Sequence, residues 1–282
     1  MVEVSDIIVD TNSLKWLLNL AQRKQTIDGS SHAQLYSVIL KANEGRLSFC
    51  SLVKDGVSSL MRLSIPCTGQ GEVVITDIDT TLGVLKYHGG ILTITPSLDK
   101  VKFKSTNKQT TLSASKDAKA FPHTPSTIAQ WAEKSNILAE KINADEAQYT
   151  TNDGKVYDFM VGFTDLNTTS LYEAFRCDSM NGQKYNKYTL AWQDGELSVN
   201  VGEELKGKTK TVLDAPYGNT SYHTDQNVES FTATYAGGLE HIFQHLNSDV
   251  GIWIFDFTDA GMGHPMLITL GDGDYIFQAG IL

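Results

Sequence analysis

Residues 71–115 read GEVVITDIDTTLGVLKYHGGILTITPSLDKVKFKSTNKQTTLSAS. GEVVITDID is rich in β-branched residues and predicts a strand. TTLGVLKYH predicts a short helix with Leu82 and Leu85 inward and Lys86 outward. GILTITPSLDKVKFKSTNKQTTLSAS predicts three strands, punctuated by turns at SLDK and TNKQ. The unit is strand, helix, three strands, and it decides the fold because it recurs.

An earlier copy begins at DIIVD. TNSLKWLLNLAQRK predicts a helix, because Leu14, Leu17, Leu18 and Ala21 share one face while Lys15, Asn19, Gln22 and Arg23 share the other. LYSVILKANEGRLSFCSLVKDGVSSLMRLSI then reads as three strands with turns at NEG and KDG. A third copy starts at VYDFMVGF. Its helix, TDLNTTSLYEAFRCDSM, turns Leu171, Tyr172 and Phe175 inward and Arg176 outward, and YNKYTLAWQ, GELSVNVG and KGKTKTVLD follow as strands. The fourth runs from VESFTATY through a helix in AGGLEHIFQHL, with Leu239, Ile242, Phe243 and Leu246 inward, to the strands GIWIFDFTD, PMLITL and YIFQAGIL. Between the second and third copies the texture changes and Pro122 and Pro125 interrupt it. Fourfold repetition predicts an α+β protein of two similar domains, 1–120 and 154–282, joined by a connector at 121–153.

The 282 residues are long enough for two domains, and 41% apolar content fits a folded chain. A net charge of −10 disfavours a broadly basic nucleic-acid-binding surface, although a basic stripe can sit inside an acidic shell. Three scattered cysteines, Cys50, Cys67 and Cys177, suit buried thiols in a reducing compartment. MVEVSDIIVD lacks the basic and apolar parts of a signal peptide, and no stretch approaches the length of a membrane span. A cytoplasmic location is expected, in a host cytoplasm if the chain is phage-encoded.

No nucleotide, nucleophile-elbow or zincin motif is present. Asp77 and Asp79 are either a helix start or metal carboxylates, and the helix start is preferred. GDGD at 271–274 reads as a turn rather than a calcium loop. His241 and His245 have zinc spacing but no completing ligand in the sequence. No enzyme activity, cofactor or metal is expected.

The repeats, together with the stretch SFTATYAGGLEHIFQHLNSDVGIWIFDFTDAGMGHPMLITLGDGDYIFQAGIL, resemble the DNA sliding clamps. Gly261-Met262-Gly263-His264 stands where those proteins have a turn between strands. DIDTTLGVLKYHGG resembles the corresponding part of a phage clamp, and GRLSFCSLVKDGVSSLMRLSIP resembles a strand pair of the first clamp domain. The resemblance implies a clamp fold with two β-rich units and two short helices per domain. It also implies a homotrimeric ring around duplex DNA, because two domains per chain make a third of a six-domain ring. A phage or viral origin suits it.

The resemblance further assigns roles by residue. Lys15, Asn19, Gln22, Arg23, Lys24, Lys86, Arg176, His241 and His245 would face DNA without reading its sequence. The fourth helix offers histidines but no lysine or arginine. Strands at 108–115 and 206–214 would pair between subunits through Thr110, Thr111, Leu112, Thr209, Thr211 and Val212. Short peptides of a DNA polymerase and a clamp loader would enter a pocket lined by Leu52, Ile276, Phe277, Gln278, Ala279, Gly280, Ile281 and Leu282. The same C-terminal side chains could instead fill the second-domain core. A β-rich virion protein and a non-ring monomeric processivity subunit are the alternatives to a ring.

Overall fold

The computed structural model describes residues 5–27, 30–35, 37–53, 59–114, 148–150, 156–180, 187–193, 196–203, 207–213, 222–223, 230–236, 239–246, 248–255, 264–271 and 273–278. Contacts divide the chain into two units, Met1–Lys54 with Met61–Glu133, and Lys134–Leu282 with Asp55–Leu60. The division falls inside the expected connector, most of which lies outside the described residues.

In the first unit β1 (Ile7–Asp10) leads directly into α1 (Thr11–Ala21). Asp10 accepts the amide protons of Asn12 at 3.0 Å and Ser13 at 2.9 Å, which satisfies two free donors of the first turn. Those bonds, Ser13's first, hold its carboxyl below the usual range. Leu14, Leu17, Leu18, Leu20 and Ala21 are buried, so the predicted apolar face is the packed one. The helix stops at Ala21 because Gln22 is extended, at φ −76° and ψ 121°. A hairpin of β2 (Arg23–Ile27) and β3 (Ser30–Leu35) follows where the helix was expected to continue. Asp28-Gly29, a strong hairpin signal, separates the two strands in the sequence.

Next come β4 (Val38–Asn43), β5 (Arg46–Val53), β6 (Ser59–Pro66) and β7 (Gly71–Ile75), then α2 (Ile78–Leu85). Asp77 caps α2 by accepting from the Thr80 amide at 2.8 Å and the Thr80 hydroxyl at 2.8 Å. That is the helix-start reading of the TDID carboxylates. Ile78, Thr81 and Leu85 are buried on α2, whereas Leu82 is only half-buried. The unit ends with β8 (Ile91–Pro96), β9 (Lys100–Ser105) and β10 (Lys108–Ser113), at the predicted places.

The pairing exchanges strands between the repeats. β1 belongs to the first repeat but pairs with β8 of the second, with Ile7 opposite Ile94. β7 belongs to the second but pairs with β4 of the first, with Val38 opposite Ile75. The sheets are β1-β8-β9-β10 and β6-β5-β4-β7.

The second unit repeats this plan. It holds β11 (Gln148–Thr150), β12 (Val156–Leu166), α3 (Thr168–Met180), β13 (Lys187–Gln193), β14 (Glu196–Glu203) and β15 (Gly207–Val212). After them come β16 (Tyr222–His223), β17 (Ser230–Ala236), α4 (Glu240–Phe243), β18 (Val250–Phe255), β19 (Met266–Thr269) and β20 (Tyr275–Gln278). β12 joins β18 of the later repeat and β17 joins β13 of the earlier one. The likeness reaches single atoms. The buried Thr11 hydroxyl donates to Gly90 O at 2.7 Å, and the buried Thr168 hydroxyl donates to Leu246 O at 3.2 Å. Each first helical residue thus ties its helix to the approach of the strand that its own leading strand joins. α4 is a single turn with no side-chain cap, yet Leu239, Ile242, Phe243 and Leu246 are all buried as predicted.

Two features dominate the second core. Trp253 on β18 lies against Gly162 of β12, where a Cβ would meet its ring at 2.3 Å, and its indole N–H donates to Thr269 Oγ1 at 3.2 Å. Phe175, Tyr188, Tyr235 and Phe243 form a separate aromatic cluster, with Phe175 edge-on to Tyr188 at 4.5 Å between ring centroids. The two buried tyrosines differ. Tyr188 donates to Gln278 Oε1, whereas the Tyr235 hydroxyl is buried with no hydrogen-bond partner among the described residues. Burial pushes both phenols far above their ordinary range. Tyr188→Phe is therefore expected to cost about 1–2 kcal/mol in urea unfolding, while Tyr235→Phe should be neutral or stabilising.

Candidate nucleic-acid interface

The residues expected to face DNA lie on helices, at helix ends and on a strand. On α1, Lys15 is half-buried and Asn19 is exposed, and Lys86 is exposed at the end of α2. Gln22 turns its side-chain amide to Asp79, so that contact occupies it. Arg23 and Lys24 lie on β2, which corrects the expected place of Arg23 on the α1 face and of Lys24 at the helix end. The extended Gln22 takes them off the helical period. On α3, Arg176 reaches Glu173 at 3.4 Å and lies 5.7 Å from the Tyr172 ring centroid. His245 is exposed, and His241 lies on α4 with its side chain outside the described residues.

Across the four described helices one lysine and one arginine stand with four acidic residues, Asp79, Glu173, Asp178 and Glu240. The helix bodies are therefore not a basic surface. Cations gather instead where α2 meets the strand edge. Tyr87, just past α2, is 71% exposed, and Lys108 Nζ stands 5.8 Å from its ring centroid. Lys86 precedes Tyr87 in the chain. A flat exposed ring among ammonium groups suits nucleic acid, which offers both phosphates and stacking faces. Neither Tyr87 nor Lys108 was expected from helix periodicity; the Gly89-Gly90 pair behind Tyr87 was the available signal of a projecting turn.

The expected edges are edges. β10 and β15 are the terminal strands of their sheets. Thr110 and Leu112 face the same side as Phe103 and Val101, their register partners, and Thr111 faces the other. Thr209 and Thr211 stand opposite Val201 and Val199, and Val212 is 42% exposed.

The C-terminal pocket changes more. Ile276 is fully buried and Gln278 is 1% exposed, so both serve the second core and not a groove. β alternation turns them to one side, and Gln278 is held there by Tyr188. Phe277 lies between them on β20 and Leu52 lies on β5, with both side chains outside the described residues; Ala279, Gly280, Ile281 and Leu282 lie outside altogether. The GDGD stretch is a turn, with Asp274 N donating to Gly271 O at 2.9 Å.

By sequence, no family model matches the chain, and no curated protein does. Solved structures do. A DNA polymerase III beta chain from Streptococcus pneumoniae is similar over 100% of this chain and 66% of its own, with a TM-score of 0.64 and 15% identity. The beta sliding clamp of Caulobacter crescentus gives 99%, 66%, 0.62 and 15% for the same quantities. A DNA polymerase sliding clamp from Pseudomonas aeruginosa gives 99%, 68%, 0.61 and 13%.

The chain has the DNA sliding-clamp fold.

It spans about two thirds of the length of these clamps. Within this clamp fold the described residues contain no group of three metal-ligating side chains and no helix long and apolar enough to cross a membrane. One titratable group is built into the first unit. His88 is 5% exposed, with Nδ1 2.9 Å from Ser105 Oγ and Nε2 3.0 Å from Thr110 Oγ1. Burial, then the charges of Lys108 and Lys15, hold its pKa below the ordinary 6.5. The folded state therefore keeps His88 neutral, while the unfolded chain takes up a proton near pH 6.5. Its stabilising effect is complete above that value and is lost as the pH falls through it towards the lower folded value. The melting temperature should drop between pH 7.5 and 5.5, and His88→Gln should flatten that part of the profile.

Proposed function

We propose that this chain is a DNA sliding clamp, a non-catalytic ring of three subunits that holds replication proteins on duplex DNA. The observation that carries this reading is the match of the whole chain to about two thirds of a clamp chain. A chain with two clamp domains supplies a third of a six-domain ring. The two terminal strands, β10 and β15, are the surfaces by which such a ring would close, since unpaired edges seek partners. Polymerase and loader peptides would dock near Leu52, Phe277 and residues 279–282.

The sparse cations of the helix bodies support a loose, salt-sensitive grip, as a sliding protein needs. Lys15, Lys86, Tyr87 and Lys108 are the contacts in the first unit. Light scattering tests the ring directly, with three chains as the expected species and a stable monomer as the result against it. Retention on nicked circular DNA, lost on linearisation, tests encirclement. Lys15→Glu with Lys86→Glu should lower that retention about tenfold at low salt without changing the assembled mass. Unchanged retention would remove these residues from the DNA path.

A further inference from the structure

We propose that the exposed face of the β1-β8-β9-β10 sheet docks an acidic, extended peptide. The surface is distinct from the DNA and peptide sites above and does not depend on ring closure. One face of this sheet is buried through Ile7, Val9, Leu92, Ile94, Val101 and Phe103. By alternation the other face carries Lys100, Lys102 and Lys104 in a straight row along β9, about 6.7 Å apart. Register places Thr93 and Gln109 beside Lys104, and Thr95 and Thr111 beside Lys102.

The charge is out of keeping with the chain. Residues 91–113 hold four lysines and one aspartate, a net +3 in a protein of net −10, and three of the four lysines lie on this face while Lys108 lies by Tyr87. Three carboxylates stand near the row and offset part of its charge. Asp99 lies 3.9 Å from Lys100, Asp6 accepts the Thr95 hydroxyl at 2.6 Å, and Asp10 is occupied as the α1 cap. Lys102 and Lys104 make no ion pair among the described residues.

The face also selects within polyanions. Ile8, opposite Thr93, is 40% exposed, and Ile91, opposite Asp10, is 65% exposed. It bears no exposed aromatic ring, whereas single-stranded nucleic acid is held by stacking on such rings. An extended peptide presents alternate side chains at the same spacing as the lysine row, so carboxylates can meet ammonium groups while apolar residues meet Ile8 and Ile91.

The test is fluorescence anisotropy with the full chain and a labelled peptide of glutamates interrupted by isoleucines. Saturable binding is expected, tighter than that of an all-glutamate peptide. Lys102→Glu with Lys104→Glu should weaken it about tenfold. Ile91→Ser should weaken it about threefold. Lys102→Gln with Lys104→Gln, which adds no repulsion, should give an intermediate loss while circular dichroism stays unchanged. Absence of saturation overturns the proposal. So does tighter binding of an oligothymidylate, or a change in oligomeric mass in place of peptide affinity in the lysine variants. None of these outcomes alters the DNA-retention result, so the two readings fail separately.

Discussion

Gly162→Val should unfold the second unit's sheet around Trp253. A Cβ at Gly162 would lie 2.3 Å from Trp253 Cε3 and 2.4 Å from Cζ3, far inside van der Waals contact. The ring cannot simply swing aside. Trp253 is 3% exposed, its N–H is bonded to Thr269, and Phe159 packs edge-on against it at 5.1 Å. A Cβ at Gly251 would crowd the same indole from another side, at 3.0 Å from Nε1. Forcing a branched side chain into that contact should cost about 3 kcal/mol or more. Thermal unfolding should show a fall of roughly 10 °C, or loss of soluble protein. Gly83→Ala is the matched contrast. Nothing lies within 4 Å of a Cβ there, and the position is inside α2, so it should stabilise by about 1 kcal/mol.

If the proposed ring closes through β15, Thr209→Pro should convert it to monomers. Thr209 lies within β15, the terminal strand, opposite Val201. Proline removes a backbone donor and stiffens the edge, so a neighbouring strand can no longer complete its ladder. The trimer fraction measured by light scattering at micromolar chain should fall about tenfold. Cooperative unfolding and an unchanged circular dichroism spectrum would show that the subunit itself survives. A trimer that persists would mean that β15 is not the ring-closing edge.

The repeat was legible because each copy combines two periods, an alternating strand pattern and a helical apolar face. Leu14, Leu17 and Leu18 on α1 and Leu239, Ile242 and Phe243 around α4 are buried as their spacing predicts. The β2–β3 hairpin was not read, because RKQ continues the polar face of α1 and hides the break at Gln22. The carboxylates of TDID were legible, since capping is a local interaction. The terminal position of β10 and β15 was legible in their polar, threonine-rich sequences. Ile276 and Gln278 were misplaced because an apolar terminal strand has the same sequence whether it lines a groove or closes a core. Tyr87 and Lys108 were missed for the opposite reason, since they lie 21 positions apart in the sequence and only the fold brings them together. The exchange of leading strands is equally non-local, and no residue of β1 or β7 announces which sheet it will join.

That exchange bears on how the protein is made. β1 leaves the ribosome before its partner β8, with six strands and two helices made between them. The opening repeat cannot close until β7 arrives for β4, and it then lacks β1 until the next repeat is complete. Half a domain is thus not a smaller folded domain, and a chain stopped after β6 leaves unpaired edges open to aggregation. Such distant pairings make acquisition of the fold slow relative to its parts. The same interlock should make each domain melt as one body, with amide protons of β1 and β8 exchanging together.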